Sequence, residues 1–147
     1  MAGACKFCEI GRGEIESAVV FEDAVSLAFL DHRPLFPGHC LLIPKQHCET
    51  LADLPASLIE PLFKNAQLLA RAVELGLEAE GSFVAINNRI SQSVPHLHIH
   101  IVPRRRKDGL KGFFWPRQAY PDRDAMLKVQ ETLRSTIQKL MAANKRE

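Results

Sequence analysis

Apolar residues along this chain change period from segment to segment, and each change marks a structural element. Residues 18–22 (Ala-Val-Val-Phe-Glu) and 25–30 (Val-Ser-Leu-Ala-Phe-Leu) are short β-branched and aromatic runs separated by Asp23 and Ala24. They predict two strands joined by a tight turn. Pro34, Pro37 and Gly38 interrupt the pattern, and Cys40-Leu-Leu-Ile-Pro44 reads as a third strand that stops at its proline. Between Pro55 and Leu75 the spacing becomes helical, with Leu58, Leu62, Ala66, Leu69 and Val73 on one face and Gly76 as a stop. Pro61 either kinks this helix or marks a later start. Phe83–Ile86 and His96–Val102 read as a fourth and a fifth strand, and the polar stretch from Asn87 to Ser93 between them suits a loop at the edge of a site. After a Gly, Pro and aromatic segment from Gly109 to Pro121, the stripe Met126, Val129, Leu133, Ile137 and Leu140 predicts a C-terminal helix capped by Asp122 or Asp124. Strands and helices in blocks, without regular βαβ alternation, predict an α+β fold: a five-stranded antiparallel sheet with a central helix and a C-terminal helix, the helices on one face.

Composition narrows the setting. With 147 residues, 46% of them hydrophobic and 24% charged, the chain is read as a single domain, residues 1–147, with a core over about 5–105 and a C-terminal aromatic segment and helix over 106–147. There is no signal-like segment and no run near the roughly 20 apolar residues of a membrane span, so a cytoplasmic protein with no membrane partner is expected. Four cysteines are then expected to stay reduced, which makes Cys5 and Cys8 a metal-binding pair rather than a disulfide, and Cys40 and Cys48 buried thiols. A net charge of +2 says little by itself, and no specific nucleic-acid partner is expected. Arg104, Arg105, Arg106 and Lys107, with Lys111 and Arg117 soon after, form either a solvated loop or an attractor for a substrate's phosphate tail.

The candidate chemistry is concentrated in the fifth strand. His96, His98 and His100 alternate with Leu97, Ile99 and Ile101, so the pleat puts three imidazoles on one face at about 6.5–7 Å spacing and the aliphatic residues on the other. At neutral pH imidazole attacks electrophiles, binds metals and donates to phosphate oxygens. Even spacing along one strand suits joint chelation of a single catalytic ion poorly, which disfavours a metal-dependent hydrolase using all three. The Cys5-x2-Cys8 pair offers two zinc ligands from one tight turn and lacks the βαβ context of a thioredoxin-like redox motif.

The segment Gln92-Ser-Val-Pro-His-Leu-His-Ile-His-Ile-Val resembles the signature of the histidine-triad family. Cys5-x-x-Cys8, Phe21-Glu-Asp, Phe29-Leu-Asp31, Pro37-Gly-His39, Ile43-Pro-Lys-Gln-His47 and Asn87 stand in the order that family shows, so the likeness spans roughly residues 5 to 105. The resemblance implies a homodimer that binds a purine nucleotide of the AMP type. It also implies hydrolysis or transfer of the nucleoside monophosphate, by cleavage at the α-phosphate of nucleoside phosphoramidates, dinucleoside polyphosphates or adenylylated adducts. By the same resemblance His98 is the nucleophile that forms a covalent nucleotidyl-histidine. His100 and Ser93 donate to phosphate oxygens, and Gln92 orients the leaving group or water. Phe7, Ile10 and Phe29 form the base slot, Asp31 holds the ribose hydroxyls, Asn87 braces phosphate or ribose, and His39 sits near the histidine cluster. Zinc-bearing members imply a structural Zn2+ held by Cys5, Cys8, His47 and His96. A non-catalytic nucleotide-binding or partner-binding module is the alternative.

The pattern departs from the family in three places, the first being a loop between Asn87 and Gln92 that is shorter than in many relatives. Ser91 stands where a glycine often precedes the glutamine, and the segment Gly112-Phe-Phe-Trp-Pro-Arg with its following helix differs from the short tail of the phosphoramidase branch. Trp115 and Arg117 either reach a partner's active site or pack on their own subunit.

Overall fold

The computed structural model describes residues 4–110 and 118–145, so Lys111, Trp115 and Arg117 lie outside the described residues. Two compact units divide the chain, Met1–Asp108 and Gly109–Glu147. The first contains α1 (Lys6–Gly11), β1 (Val19–Glu22), β2 (Ser26–Leu30), β3 (Cys40–Pro44), a 3-10 turn (Leu51–Asp53), α2 (Ala56–Gly76), β4 (Gly81–Ala85) and β5 (Ile99–Arg104). Its five strands form one antiparallel sheet in the order β1-β2-β3-β5-β4, as expected from the sequence. In the second unit α3 (Arg123–Asn144) starts at Asp122, whose carboxylate accepts the Ala125 amide at 2.7 Å, which resolves the choice between Asp122 and Asp124.

The pleat divides the core in two. Ala28, Cys40, Leu42, Leu97, Ile99 and Ile101 pack with Leu62, Ala66, Leu69 and Val73, which form the apolar face of α2. At about 1.5–3 kcal/mol for each fully buried large aliphatic side chain, this layer is the main source of stability. Leu27, Phe29, Leu41 and Ile43 point the other way and pack with Phe7 and Ile10 of α1. Helices were expected on one face only; the short α1 covers the opposite one. Six residues are too few for a helix to persist on propensity, so α1 depends on the tertiary contacts of Phe7 and Ile10, and local pattern did not reveal it.

Two further differences concern element ends. α2 begins at Ala56 and continues through Pro61, so the proline neither delays the helix nor ends it; one ladder bond, to the Ser57 carbonyl, is missing. The fifth strand was expected from His96, yet ladder pairing begins at Ile99, opposite Leu42. Before that point Leu97 donates its amide to the Cys48 carbonyl at 2.7 Å, because β3 has already ended at Pro44. Alternation still holds across this stretch, with Leu97 in the α2 layer beside Ile99 and Ile101.

The basic run after β5 is absorbed by local structure. Arg104 pairs with Asp108 at 2.6 Å, Arg105 donates to the Leu77 carbonyl, and Arg106 lies 3.3 Å from Glu80. For these three arginines this matches the surface-loop reading, whereas Lys111 and Arg117 of the same expectation lie outside the described residues.

Gly38 precedes the buried His39 with φ +99°, and a Cβ there would collide with Leu77 Cδ1. Gly38→Ala is therefore expected to cost about 1–3 kcal/mol, seen as a lower urea midpoint at unchanged m-value.

Candidate functional site

Between α1 and the sheet lies a cavity of about 720 Å³, within the range of small-molecule sites. Phe7, Ile10, Phe29 and Leu41 supply its apolar walls, while Asp31, Ser93, His98 and His100 supply the polar ones. Phe7 packs edge-on against Phe29 and His98, with ring centroids 5.4 and 5.1 Å apart. Seven of the eight residues expected to contact nucleotide therefore share one cavity; Asn87, two residues beyond β4, is not among its walls. Sequence reasoning missed Lys6, Ile15, Glu16, Ser17 and His32, which also line it. Most of these flank α1 or the turn after it, and the only sequence signal was the Phe7/Ile10 spacing of a short helix.

His98 is buried and its Nδ1 hydrogen donates to the His96 carbonyl at 2.7 Å, which leaves Nε2 with the lone pair. His100 is 4.9 Å from His98 between ring centroids. Its Nδ1 lies 3.0 Å from Nε2 of the buried His39, and His39 Nδ1 in turn lies 3.1 Å from the Leu35 amide. Nε2 of His100 is buried without a partner among the described residues, a condition that costs about 1–3 kcal/mol. Burial pushes His100 down to about 4. His39 is also lowered by burial, against the opposing charge of Asp31.

Gln92 is not a cavity wall. Its carboxamide accepts the Arg89 amide at 2.8 Å and donates to the Glu49 carbonyl at 2.6 Å, pinning the loop that delivers Ser93. Asn88 adds a second tie by accepting the Leu51 amide at 2.9 Å. Ser91 has φ +59°, the left-handed conformation that glycine adopts most readily.

A second cluster joins α1 to the approach of β5. Cys5, the residue before α1, and Cys8 within it meet His47 and His96. The sulfur-to-nitrogen separations are 3.4 to 3.5 Å, and His47 Nδ1 is 3.2 Å from His96 Nδ1. Tetrahedral zinc with bonds of about 2.3 Å to sulfur and 2.05 Å to nitrogen requires separations of about 3.5 and 3.3 Å. The donor set therefore fits zinc in both chemistry and spacing. Nε2 of His96 donates to the Pro44 carbonyl at 2.8 Å, which turns Nδ1 toward the cluster.

A family model described as the HIT domain matches residues 12–107. The chain belongs to the HIT family. Among its relatives, this HIT protein is 34% identical over 143 residues to a Candida albicans adenosine 5'-monophosphoramidase, covering 93% of each chain. A solved structure from Streptococcus mutans superposes with a TM-score of 0.85 at 33% identity, over 93% of this chain and 87% of that one. A zinc-bound histidine triad family protein from Mycobacterium smegmatis matches with a TM-score of 0.69 at 36% identity, over 95% and 97% of the two chains. The family and the five-stranded antiparallel fold expected from the sequence are thus both found.

The lowered His100 sets a pH dependence. Folded protein holds this imidazole neutral down to about pH 4, whereas the unfolded chain takes up its proton near pH 6.5, so stability falls as pH drops through that window. One such group accounts for about 2 kcal/mol between pH 7 and 4.5. Urea unfolding at both pH values should show that loss in wild type and a smaller one in His100→Asn.

Proposed function

We propose that this HIT protein binds a purine nucleotide and hydrolyses or transfers its nucleoside monophosphate through a covalent intermediate on His98. The observation that carries this reading is the disposition of His98: proton committed to the His96 carbonyl, Nε2 lone pair uncommitted, ring in the wall of a nucleotide-sized cavity. In the first step the Nε2 lone pair attacks the α-phosphorus while the bond to the leaving group breaks. Water then displaces His98, releasing the nucleoside monophosphate and returning the imidazole. His100 and Ser93 donate to the phosphate oxygens, where negative charge grows. The base lies among Phe7, Ile10 and Phe29, and Asp31 accepts hydrogen bonds from the ribose hydroxyls. Asn87 braces the ribose or phosphate from beyond β4. Gln92 acts by holding the loop that positions Ser93, a role suited to its two backbone hydrogen bonds.

The phosphoramidase named among the relatives supports phosphoramidates as the first substrates to try. Zinc at Cys5, Cys8, His47 and His96 is structural in this reading, because it holds α1 and the approach to β5 while the reacting phosphorus belongs at His98. All four cysteines are free, which suits a reducing cytoplasm. No helix among the described residues is long and apolar enough to cross a membrane. A homodimer is proposed on the family resemblance, and the edge strand β4, with Val84 exposed, is a suitable seam.

Intact-protein mass spectrometry during turnover of an adenosine phosphoramidate should detect a transient adenylyl adduct on wild type and none on His98→Ala, with turnover reduced about 10³-fold or more in the variant. Equal turnover by the two proteins would reject covalent catalysis, and nucleotide binding without any product would favour a binding module. Separately, Cys5→Ser combined with Cys8→Ser should abolish the zinc found by elemental analysis of the wild type. It should also lower the melting temperature, as expected when metal binding contributes to folding.

A further inference from the structure

We propose that His39 is a positioning residue that locks His100 into the tautomer carrying its proton on Nε2, so that His100 always presents a neutral donor to the phosphate or its departing group. The lock follows from a short chain of hydrogen bonds whose direction is set at one end. A backbone amide only donates, and the Leu35 amide lies 3.1 Å from His39 Nδ1, so that nitrogen must hold a lone pair. Asp31 Oδ2, the other polar atom facing Nδ1, is 3.8 Å away and beyond hydrogen-bond reach. A neutral imidazole has one ring proton, so in His39 it resides on Nε2. That proton points at His100 Nδ1, 3.0 Å away, which must then accept. The single proton of His100 is left on Nε2, the buried atom without a partner, in a ring that lines the cavity.

Local structure keeps the chain in place. Pro34 and Pro37 stiffen the segment before β3, the His39 amide donates to the Phe36 carbonyl at 3.0 Å, and the Asp31 amide donates to the His39 carbonyl at 2.9 Å. Burial keeps both imidazoles neutral near pH 7, so neither acquires the second proton that would reverse a link. Without His39, His100 is free to place its proton on Nδ1 and turn a lone pair toward the anionic oxygen it should stabilise.

The catalytic part of this inference rests on the function proposed above; the tautomer assignment does not, and the test separates them. Nitrogen-15 spectra of the histidine rings, recorded on the whole chain without substrate, should show His100 as the Nε2–H tautomer in wild type. In His39→Leu the spectra should show a mixture. His39→Gln retains a side-chain N–H toward His100 and should restore the wild-type tautomer. Turnover of an adenosine phosphoramidate should follow the same order, with kcat lowered about 10²-fold in His39→Leu, within a few-fold of wild type in His39→Gln, and KM little changed in either. An Nδ1–H tautomer at His100 in wild type overturns the proposal even where His39→Leu fails to fold. So does a tautomer that stays put when His39 is replaced by leucine. If the wild type turns over nothing while the tautomer shifts as expected, the lock stands and the catalytic reading falls.

Discussion

Much of this molecule depends on the two-sided burial of one extended segment, residues 96 to 102. Leu97, Ile99 and Ile101 are fully buried on the α2 side, and no other arrangement of the pleat would satisfy them. Their anchoring forces His96, His98 and His100 to the opposite side, where α1 and the residues around it provide partners. A slip of one residue would exchange the two sets, placing imidazoles in an aliphatic layer and aliphatic chains in the polar cavity. Hydrophobic burial, worth several kcal/mol here, thus sets the register in which the chemistry is displayed.

Given that register, hydrogen bonds through one ring nitrogen decide what the other can do. His96 binds the Pro44 carbonyl and turns Nδ1 to the cysteines; His98 binds the His96 carbonyl and leaves the lone pair on Nε2; His100 meets His39. Three identical side chains on one extended segment acquire three different capacities from their second partners. The backbone supplies two of those partners, so the differentiation is built into the fold itself.

The alternating histidines, the α2 stripe and the strand runs were legible in the sequence because each is a local periodicity. The Cys5/Cys8 pair was legible as a metal motif, and the family resemblance supplied His47 and His96 as its complement. Less was readable where distant segments meet. α1 has no pattern of its own beyond Phe7 and Ile10, which the family resemblance supplied as cavity walls, and Lys6 and Ile15 beside them were not anticipated. His39 was noted only as a neighbour of the cluster; its contact with His100 spans 61 residues of sequence. The link from Gln92 to Glu49, 43 residues away, likewise leaves no local trace. The basic run was ambiguous in part for the same reason, since the pairing of Arg106 with Glu80 and of Arg105 with the Leu77 carbonyl arises only once the chain is folded.

Helix α1 and the cysteine before it serve two neighbouring groups of residues. Cys5 and Cys8 belong to the Cys2His2 cluster, while Phe7 and Ile10, interleaved on the same six-residue segment, face the cavity. Because so short a helix has little stability of its own, order imposed from the cluster side and order imposed from the cavity side are one and the same. Thermodynamic reciprocity makes any such coupling symmetric: whatever factor an ion at the first would apply to the affinity of a ligand at the second, the ligand would apply to the ion.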